Sequence, residues 1–162
     1  GQYRRVMEKG VALKSRIKVN RKSAAVYNLV ENRKIDSQVV DGSTYFNAEF
    51  GPGEGFLYLI TEKTIADLKV AVQRSVKRGA STAIEITVLD SSRKAINAVI
   101  PLEVRGLDSN GHDMEINGYY AAVGGKIVIP ADIAVNDSIG KWELSVRDLA
   151  SGNLKTISFV VK

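Results

Sequence analysis

The chain has 162 residues, of which 44% are hydrophobic and 25% charged, as is typical of an ordinary soluble globular protein. The absence of cysteine excludes disulfides and thiolate chemistry. The sequence contains no apolar run of about 18 residues, the length that would predict a membrane-spanning helix. The net charge of +5 is uneven, because residues 1–35 carry +8 and the remainder carries −3. A basic first third could contact nucleic acid. However, it lacks interleaved aromatic residues and any recognised nucleic-acid motif, which favours a solvated face or a surface beside an acidic neighbour.

The N-terminal segment, residues 2–13, predicts a short helix, since its apolar side chains recur roughly on one side. Gly10 disfavours that helix, and a frayed terminal segment is the alternative. The chain begins with Gly1 rather than Met. We expect it to be a piece of a longer precursor, whose export signal or upstream domain precedes it.

Short alternating and apolar runs predict that residues 1–64 hold a small antiparallel β-domain after the N-terminal segment. Asp41-Gly42 is a strong hairpin signal, and the glycine-rich run at 51–55 is the tightest turn in the chain. The predicted strands are 16–20, 23–30, 35–40, 43–50 and 56–60.

For so small a sheet, the free energy gained by burying apolar side chains is of the same order as the conformational entropy cost of ordering the chain. We therefore expect it to rest on a neighbour, such as the second domain or an upstream domain of the same polypeptide. An exposed apolar patch around Phe46, Phe50 and Tyr58 would be the natural contact surface.

Residues 65–162 predict a seven-stranded immunoglobulin-like β-sandwich, because apolar strands and turn signals follow one another at regular spacing. The absence of a cysteine pair excludes a disulfide-bearing antibody-type domain. Pro101 predicts an edge position or a bulge in its strand, and residues 76–79 predict a turn. The predicted strands are 68–73, 82–89, 98–104, 119–123, 126–130, 141–147 and 155–161.

The strand at 141–147 carries the clearest pattern of the chain. Trp142, Leu144 and Val146 alternate with polar residues, which is the period of a strand with one buried and one solvated face. Trp142 is the single tryptophan and lies on the apolar side. The pattern predicts that this is the central core strand of the sandwich.

Several short motifs resemble known families. Residues 140–161, with Gly-Lys-Trp-Glu-Leu-Ser-Val-Arg-Asp and a final Ile-Ser-Phe-Val-Val, resemble the closing hairpin of bacterial immunoglobulin-like and macroglobulin-like modules. Residues 90–97 resemble a loop of the same modules, without its glycines and proline. Residues 26–30 and 50–60 are similar to the small C-terminal β-domain of many glycoside hydrolases. These resemblances imply an accessory region that follows a catalytic barrel and contains no catalytic residue itself.

The one histidine, His112, is the first candidate for chemistry. With a single histidine and no cysteine a zinc site is disfavoured, and no nucleophile elbow accompanies His112, so a turn residue is the preferred interpretation. The acidic spacing of Asp108, Asn110, Asp113 and Glu115 is that of a weak calcium loop or, more simply, of a polar hairpin turn.

Two further candidates are a carboxylate and a group of aromatic residues. Glu54 lies in a glycine loop, but no second carboxylate can be paired with it as glycosidase chemistry requires, which favours a structural turn. Tyr119, Tyr120 and Trp142 could form a sugar-stacking platform. Adjacent tyrosines in a strand point to opposite faces, so one of them should be exposed, whereas Trp142 is expected in the core.

Taken together, the sequence predicts a non-enzymatic, all-β accessory region of a larger exported bacterial protein, without cofactor or metal. Its expected location is extracytoplasmic, and its expected role is domain packing or self-association. The alternative is a β-sandwich module that binds carbohydrate or another surface ligand.

Overall fold

The computed structural model describes residues 10–22 and 25–162, and every regular element in those ranges is a β-strand. The predicted all-β fold is therefore confirmed. The predicted helix falls mostly on residues 1–9, which lie outside the described residues, and strand β1 already begins at Leu13. In the described part of the chain, no helix has the length and apolar character that a membrane crossing needs.

The strands are β1 (Leu13–Val19), β2 (Ala25–Asn28), β3 (Arg33–Ile35), β4 (Ser37–Val40), β5 (Ser43–Phe50), β6 (Tyr58–Thr61), β7 (Ile65–Ala71), β8 (Ser75–Val76), β9 (Ser81–Asp90), β10 (Ile100–Leu107), β11 (Gly118–Ala122), β12 (Lys126–Asp132), β13 (Gly140–Asp148) and β14 (Leu154–Val161). They divide into two compact units, of which the first ends at Lys63 and the second runs from Thr64 to Lys162. We describe each unit by itself.

The first unit contains two three-stranded antiparallel sheets rather than the single small sheet that the sequence predicted. Their strand orders are β1-β5-β4 and β3-β2-β6. The predicted Asp41-Gly42 hairpin is present: Val40 pairs with Ser43, and both loop residues have positive φ, as a two-residue hairpin turn requires. The strand predicted at 35–40 is interrupted at Asp36, so that β3 lies in one sheet and β4 in the other.

Aromatic side chains pack together in this unit. The rings of Phe46 and Tyr58 meet edge to face with centroids 4.9 Å apart, and Phe50 contacts Phe56 at 5.3 Å. Phe46 is only 4% exposed, and Phe50 and Tyr58 are half-buried. The structure therefore corrects the predicted exposed patch: Phe46 is buried, and Phe50 and Tyr58 are only partly exposed because the aromatic rings pack against one another.

The second unit is a sandwich of two sheets, with strand orders β11-β10-β13-β14-β8 and β12-β9-β7. All its pairings are antiparallel except that of β8 with β14, which is parallel. Alternate residues of β9, β10 and β13 are fully buried and form the core between the sheets. These core residues include Ile84, Ile86, Val88, Leu102, Val104, Leu144 and Val146.

Two local predictions for this unit need correction. The turn predicted at 76–79 is present at Arg78-Gly79, but Val76 lies in β8, a short strand beside Val161, and its side chain is only 2% exposed. Pro101 lies in β10, which is paired on both sides and shows no bulge. The proline is tolerated because the pairing of β10 with β13 begins one residue later, at Leu102. The missing N–H of Pro101 therefore removes no hydrogen bond between these two strands.

Strand β13 lies in the middle of the five-stranded sheet, as predicted. Trp142 is 4% exposed and contacts Phe159 on β14 with ring centroids 5.8 Å apart. Its indole Nε1 donates a hydrogen bond to the Ser138 carbonyl at 3.0 Å. The tryptophan is therefore a core residue with its polar atom satisfied, as buried tryptophan requires.

Aspartates at strand ends fix the loops that follow them. Asp90 ends β9 and accepts hydrogen bonds from the backbone N–H and the hydroxyl of Ser92. Asp148 ends β13, is fully buried, and accepts from the backbone N–H groups of Ala150 and Ser151 and from the Ser151 hydroxyl. Such bonds give the backbone of a tight turn the partners that it lacks at a strand end.

Candidate functional site

A groove of the second unit with a volume of about 680 Å³ brings together most of the residues that the sequence singled out. We call it the sandwich-end groove. It is lined by the loop after β10, by β12 with the loop after it, and by Trp142. Its lining includes Asp108, His112, Glu115, Tyr120, Asp132 and Trp142.

Asp108 is the most heavily bonded side chain of this groove. One carboxylate oxygen accepts the backbone N–H groups of Asn110 and His112, both at 2.8 Å. The other accepts the Ser138 hydroxyl at 2.9 Å and lies 3.2 Å from Nδ1 of His112. Because the Ser138 carbonyl also accepts from the Trp142 indole, Asp108 connects its own loop to the loop that leads into the core strand.

These bonds hold the pKa of Asp108 at about 2, below its ordinary value of 3.8. The backbone N–H of His112 is the largest cause. Desolvation opposes it, while the Ser138 hydroxyl, the Asn110 N–H and the His112 side chain lower the pKa further. The loop therefore stabilises the charged carboxylate.

The order of contacts around His112 does not fit nucleophilic catalysis. In a nucleophile–His–acid arrangement the imidazole lies between the hydroxyl and the carboxylate. Here the Ser138 hydroxyl donates directly to Asp108, and His112 contacts the same carboxylate from an exposed position. The geometry thus gives His112 the contacts of a turn residue.

Two other acidic side chains of the groove also hold loops. Asp113 accepts a hydrogen bond from the Asn117 amide at 2.9 Å, and Asp137 accepts the backbone N–H of Ala134 at 2.7 Å. Within residues 10–22 and 25–162, no three His, Cys, Asp or Glu side chains are placed to hold a metal ion. The acidic spacing at 108–115 therefore builds a hydrogen-bonded turn in this structure.

The tyrosines and the tryptophan do not form a planar platform. Tyr119 is 73% exposed, as expected for one of two adjacent strand residues, whereas Tyr120 is half-buried and donates its hydroxyl to the Ile116 carbonyl at 2.7 Å. Trp142 is buried. The predicted stacking surface is consequently reduced to the single exposed ring of Tyr119.

Glu54 belongs to the first unit and has a structural contact of its own. Its carboxylate accepts the backbone N–H of Gly51 at 2.6 Å and closes the glycine-rich turn. This hydrogen bond gives Glu54 a structural role in the turn, as the sequence analysis favoured.

The sequence interpretation missed one grouping of residues. It considered the basic N-terminal third to lack interleaved aromatic residues, but the pairing of β1 with β5 places Tyr45 beside Arg16 and Lys18. The cationic groups lie 4.7 Å and 5.9 Å from the ring centroid. The alternation of basic residues along β1 was visible in the sequence, but the register with β5 was not.

We expect the stabilising effect of Asp108 to depend on pH. Since its folded pKa is lower than its ordinary value, the carboxylate stabilises the fold above about pH 3.8, and this contribution is lost as the pH falls toward 2. The difference in free energy of unfolding between the parent chain and Asp108→Asn should therefore be constant near neutral pH and shrink below pH 4. Urea unfolding followed by circular dichroism at several pH values measures this.

Glu115→Gln is the matched control for that experiment, since it removes one negative charge from the same loop. No hydrogen bond of the Glu115 side chain is found within the described residues, so its effect should be small at every pH. A difference for Asp108→Asn that stays constant down to pH 2 would contradict the assigned role.

Comparison with protein-family models and with curated proteins gives no match for this chain. Among solved structures, the adhesin InvE of Yersinia pseudotuberculosis is similar, with a TM-score of 0.46 and 8% sequence identity. The match covers 94% of this chain and 49% of the adhesin chain, so the chain spans about half the length of that structure.

Proposed function

We propose that this chain is a non-catalytic, structural accessory region of a larger exported bacterial protein of the glycoside-hydrolase-like kind. Its role is to pack against a neighbouring domain or against a second copy of itself. The observation that carries the proposal is the use of the polar side chains in the sandwich-end groove. Asp108, Asp113 and Asp137 all hold loop backbone or neighbouring side chains, and none is left aimed at an open reaction centre.

The electrostatics of the same groove support a structural role. A general acid or base at neutral pH needs a pKa near the working pH, which for a carboxyl group means a raised value. The pKa of the Asp108 carboxyl is shifted the opposite way, downward, and the bonds that lower it close a turn. Structural ion and hydrogen-bond networks shift pKa values in this direction.

The short motifs at 26–30, 50–60 and 140–161 support the accessory part of the proposal. They resemble turns and core strands of modules that follow catalytic barrels, and they resemble no reactive segment of those enzymes. An extracytoplasmic location follows from the same resemblance and is part of the proposal.

The proposal is tested by deleting residues 1–162 from the full gene product. We expect the remaining protein to lose thermal stability or to change its oligomeric state, while its kcat and KM for its own substrate stay close to the parent values. Differential scanning calorimetry, sedimentation velocity and steady-state kinetics give the three readouts. Deletion without any change in melting temperature or assembly would contradict the packing role.

A second assay tests the absence of catalysis directly. The isolated chain is incubated with a panel of aryl glycosides and aryl esters beside its His112→Asn and Asp108→Asn variants. We expect no turnover above buffer for any of the three proteins. Turnover by the parent chain that either variant abolishes would show that the sandwich-end groove is an active site.

A further inference from the structure

The outer face of sheet β1-β5-β4 presents a second groove, with a volume of about 630 Å³. Pairing across the sheet places Lys18, Tyr45 and Gln38 in one row, and Arg16 with Asn47 in the next. Side chains in register on one face of a sheet lie close enough to act together. We call this surface, formed by these five residues and Asp36, the Tyr45 face.

Arg16 is the distinctive group of the Tyr45 face. Its guanidinium lies 4.7 Å from the centroid of the Tyr45 ring, a distance at which cation and ring attract each other. Among the described residues no carboxylate pairs with Arg16, whereas Lys14 on the same strand is paired with Glu49 at 2.7 Å. The ring thus fixes the position of a guanidinium whose hydrogen-bond donors remain available.

The remaining polar groups of the Tyr45 face are available as well. The side chains of Gln38, Asn47 and Asp36 are exposed and make no hydrogen bond within the described residues. The sandwich-end groove differs in this respect, because its aspartate carboxylates accept hydrogen bonds from neighbouring groups of the second unit. Two amides and one carboxylate can donate to and accept from the hydroxyl groups of a bound molecule.

We propose that the Tyr45 face binds a carboxylate-bearing sugar unit of an acidic polysaccharide. The fixed guanidinium of Arg16 matches a carboxylate with two parallel hydrogen bonds, and Lys18 adds a second positive charge beside it. Gln38, Asn47 and Asp36 pair with the ring hydroxyls. This ligand binding adds to the structural role proposed above and does not depend on it.

A single-stranded nucleic acid fits this surface less well, although its phosphates would also attract Arg16 and Lys18. Binding of that kind uses several aromatic rings in series and a groove that is uniformly positive. The Tyr45 face has one ring, and because the Asp36 carboxylate lies among its lining residues the groove is not uniformly positive. The mixture of one cation pair, two amides and one carboxylate favours a ligand in which hydroxyl groups lie beside each negative charge.

The test is isothermal titration of the chain with short oligomers of galacturonic acid, in parallel with the same oligomers methylated on their carboxylates. We expect measurable binding of the acidic oligomer and at least a tenfold weaker binding of the methyl ester, because methylation removes the group that pairs with Arg16. Arg16→Gln should weaken binding of the acidic oligomer by a similar factor.

Lys14→Gln is the matched control, since it removes one positive charge from the same face of the same strand but from a lysine already paired with Glu49. It should change the affinity less than threefold. Equal losses for Arg16→Gln and Lys14→Gln, no binding of the acidic oligomer, or tighter binding of a single-stranded DNA oligomer of equal charge would each overturn the proposal. Circular dichroism of both variants verifies that they remain folded.

Discussion

Replacing Trp142 with alanine should lower the free energy of unfolding by about 3–5 kcal/mol. The side chain is 4% exposed and belongs to a buried cluster with Phe159, Met114 and Ile133. Truncation removes its buried apolar surface, leaves a cavity between the sheets, and deprives the Ser138 carbonyl of its indole donor. Urea unfolding followed by far-ultraviolet circular dichroism is the measurement, because the variant contains no tryptophan to report by fluorescence.

Two control variants separate the contributions in that experiment. Trp142→Phe keeps an aromatic ring in the cluster and loses the indole N–H, so its loss should be clearly smaller than that of the alanine variant. Tyr119→Ala removes a large ring from the same sheet at a position that is 73% exposed, and it should change stability by less than about 0.5 kcal/mol. If Trp142→Ala cost less than about 1 kcal/mol, the side chain would have to be solvent-exposed, and a stacking role for it would be open again.

The sequence predicted most strands of the second unit because alternation alone decides which side of a strand is buried. Trp142, Leu144 and Val146 show this directly, since one sheet face is apolar along the whole strand. Residues whose environment depends on distant partners were missed. The sequence pattern places Val76 in a polar turn, yet Val76 becomes buried through a parallel pairing with Val161 of β14, 85 residues further along the chain.

The sequence was enough to identify which residues form the candidate site, but not which contacts determine their role. Asp108 and His112 stand out in any reading of the sequence, because they lie in a polar turn and His112 is the only histidine. The structural role of the Asp108 carboxylate depends on the hydrogen bond that it accepts from the Ser138 hydroxyl. Ser138 lies in another loop, so no local sequence pattern reveals this contact. The Tyr45 face was missed for the same reason, since Arg16 meets Tyr45 only through the register of β1 with β5.

The glycine pair that connects β11 to β12 offers the second large effect. Gly125 has φ of +70°, and a Cβ built there would lie 2.6 Å from the Ile96 carbonyl oxygen and 2.9 Å from the Ile96 nitrogen. Its own N–H donates to the Ala98 carbonyl, and its carbonyl accepts from Val88, so the backbone cannot move away without breaking these bonds. Gly125→Ala should therefore cost about 3–4 kcal/mol, which combines left-handed strain with a backbone collision.

Gly124→Ala separates the two causes of that loss. Gly124 also has positive φ, at +60°, but a Cβ there would meet nothing within 4 Å. The variant should lose only the strain of the left-handed conformation, about 1–2 kcal/mol. The difference between the two alanine variants then measures how tightly the connection from β11 to β12 is held against the Ile96 backbone. Equal losses for both variants in urea unfolding would mean that the backbone around Ile96 moves to accommodate the added Cβ. This end of the sandwich would then be stabilised by the hydrogen bonds of its loops rather than by close backbone packing.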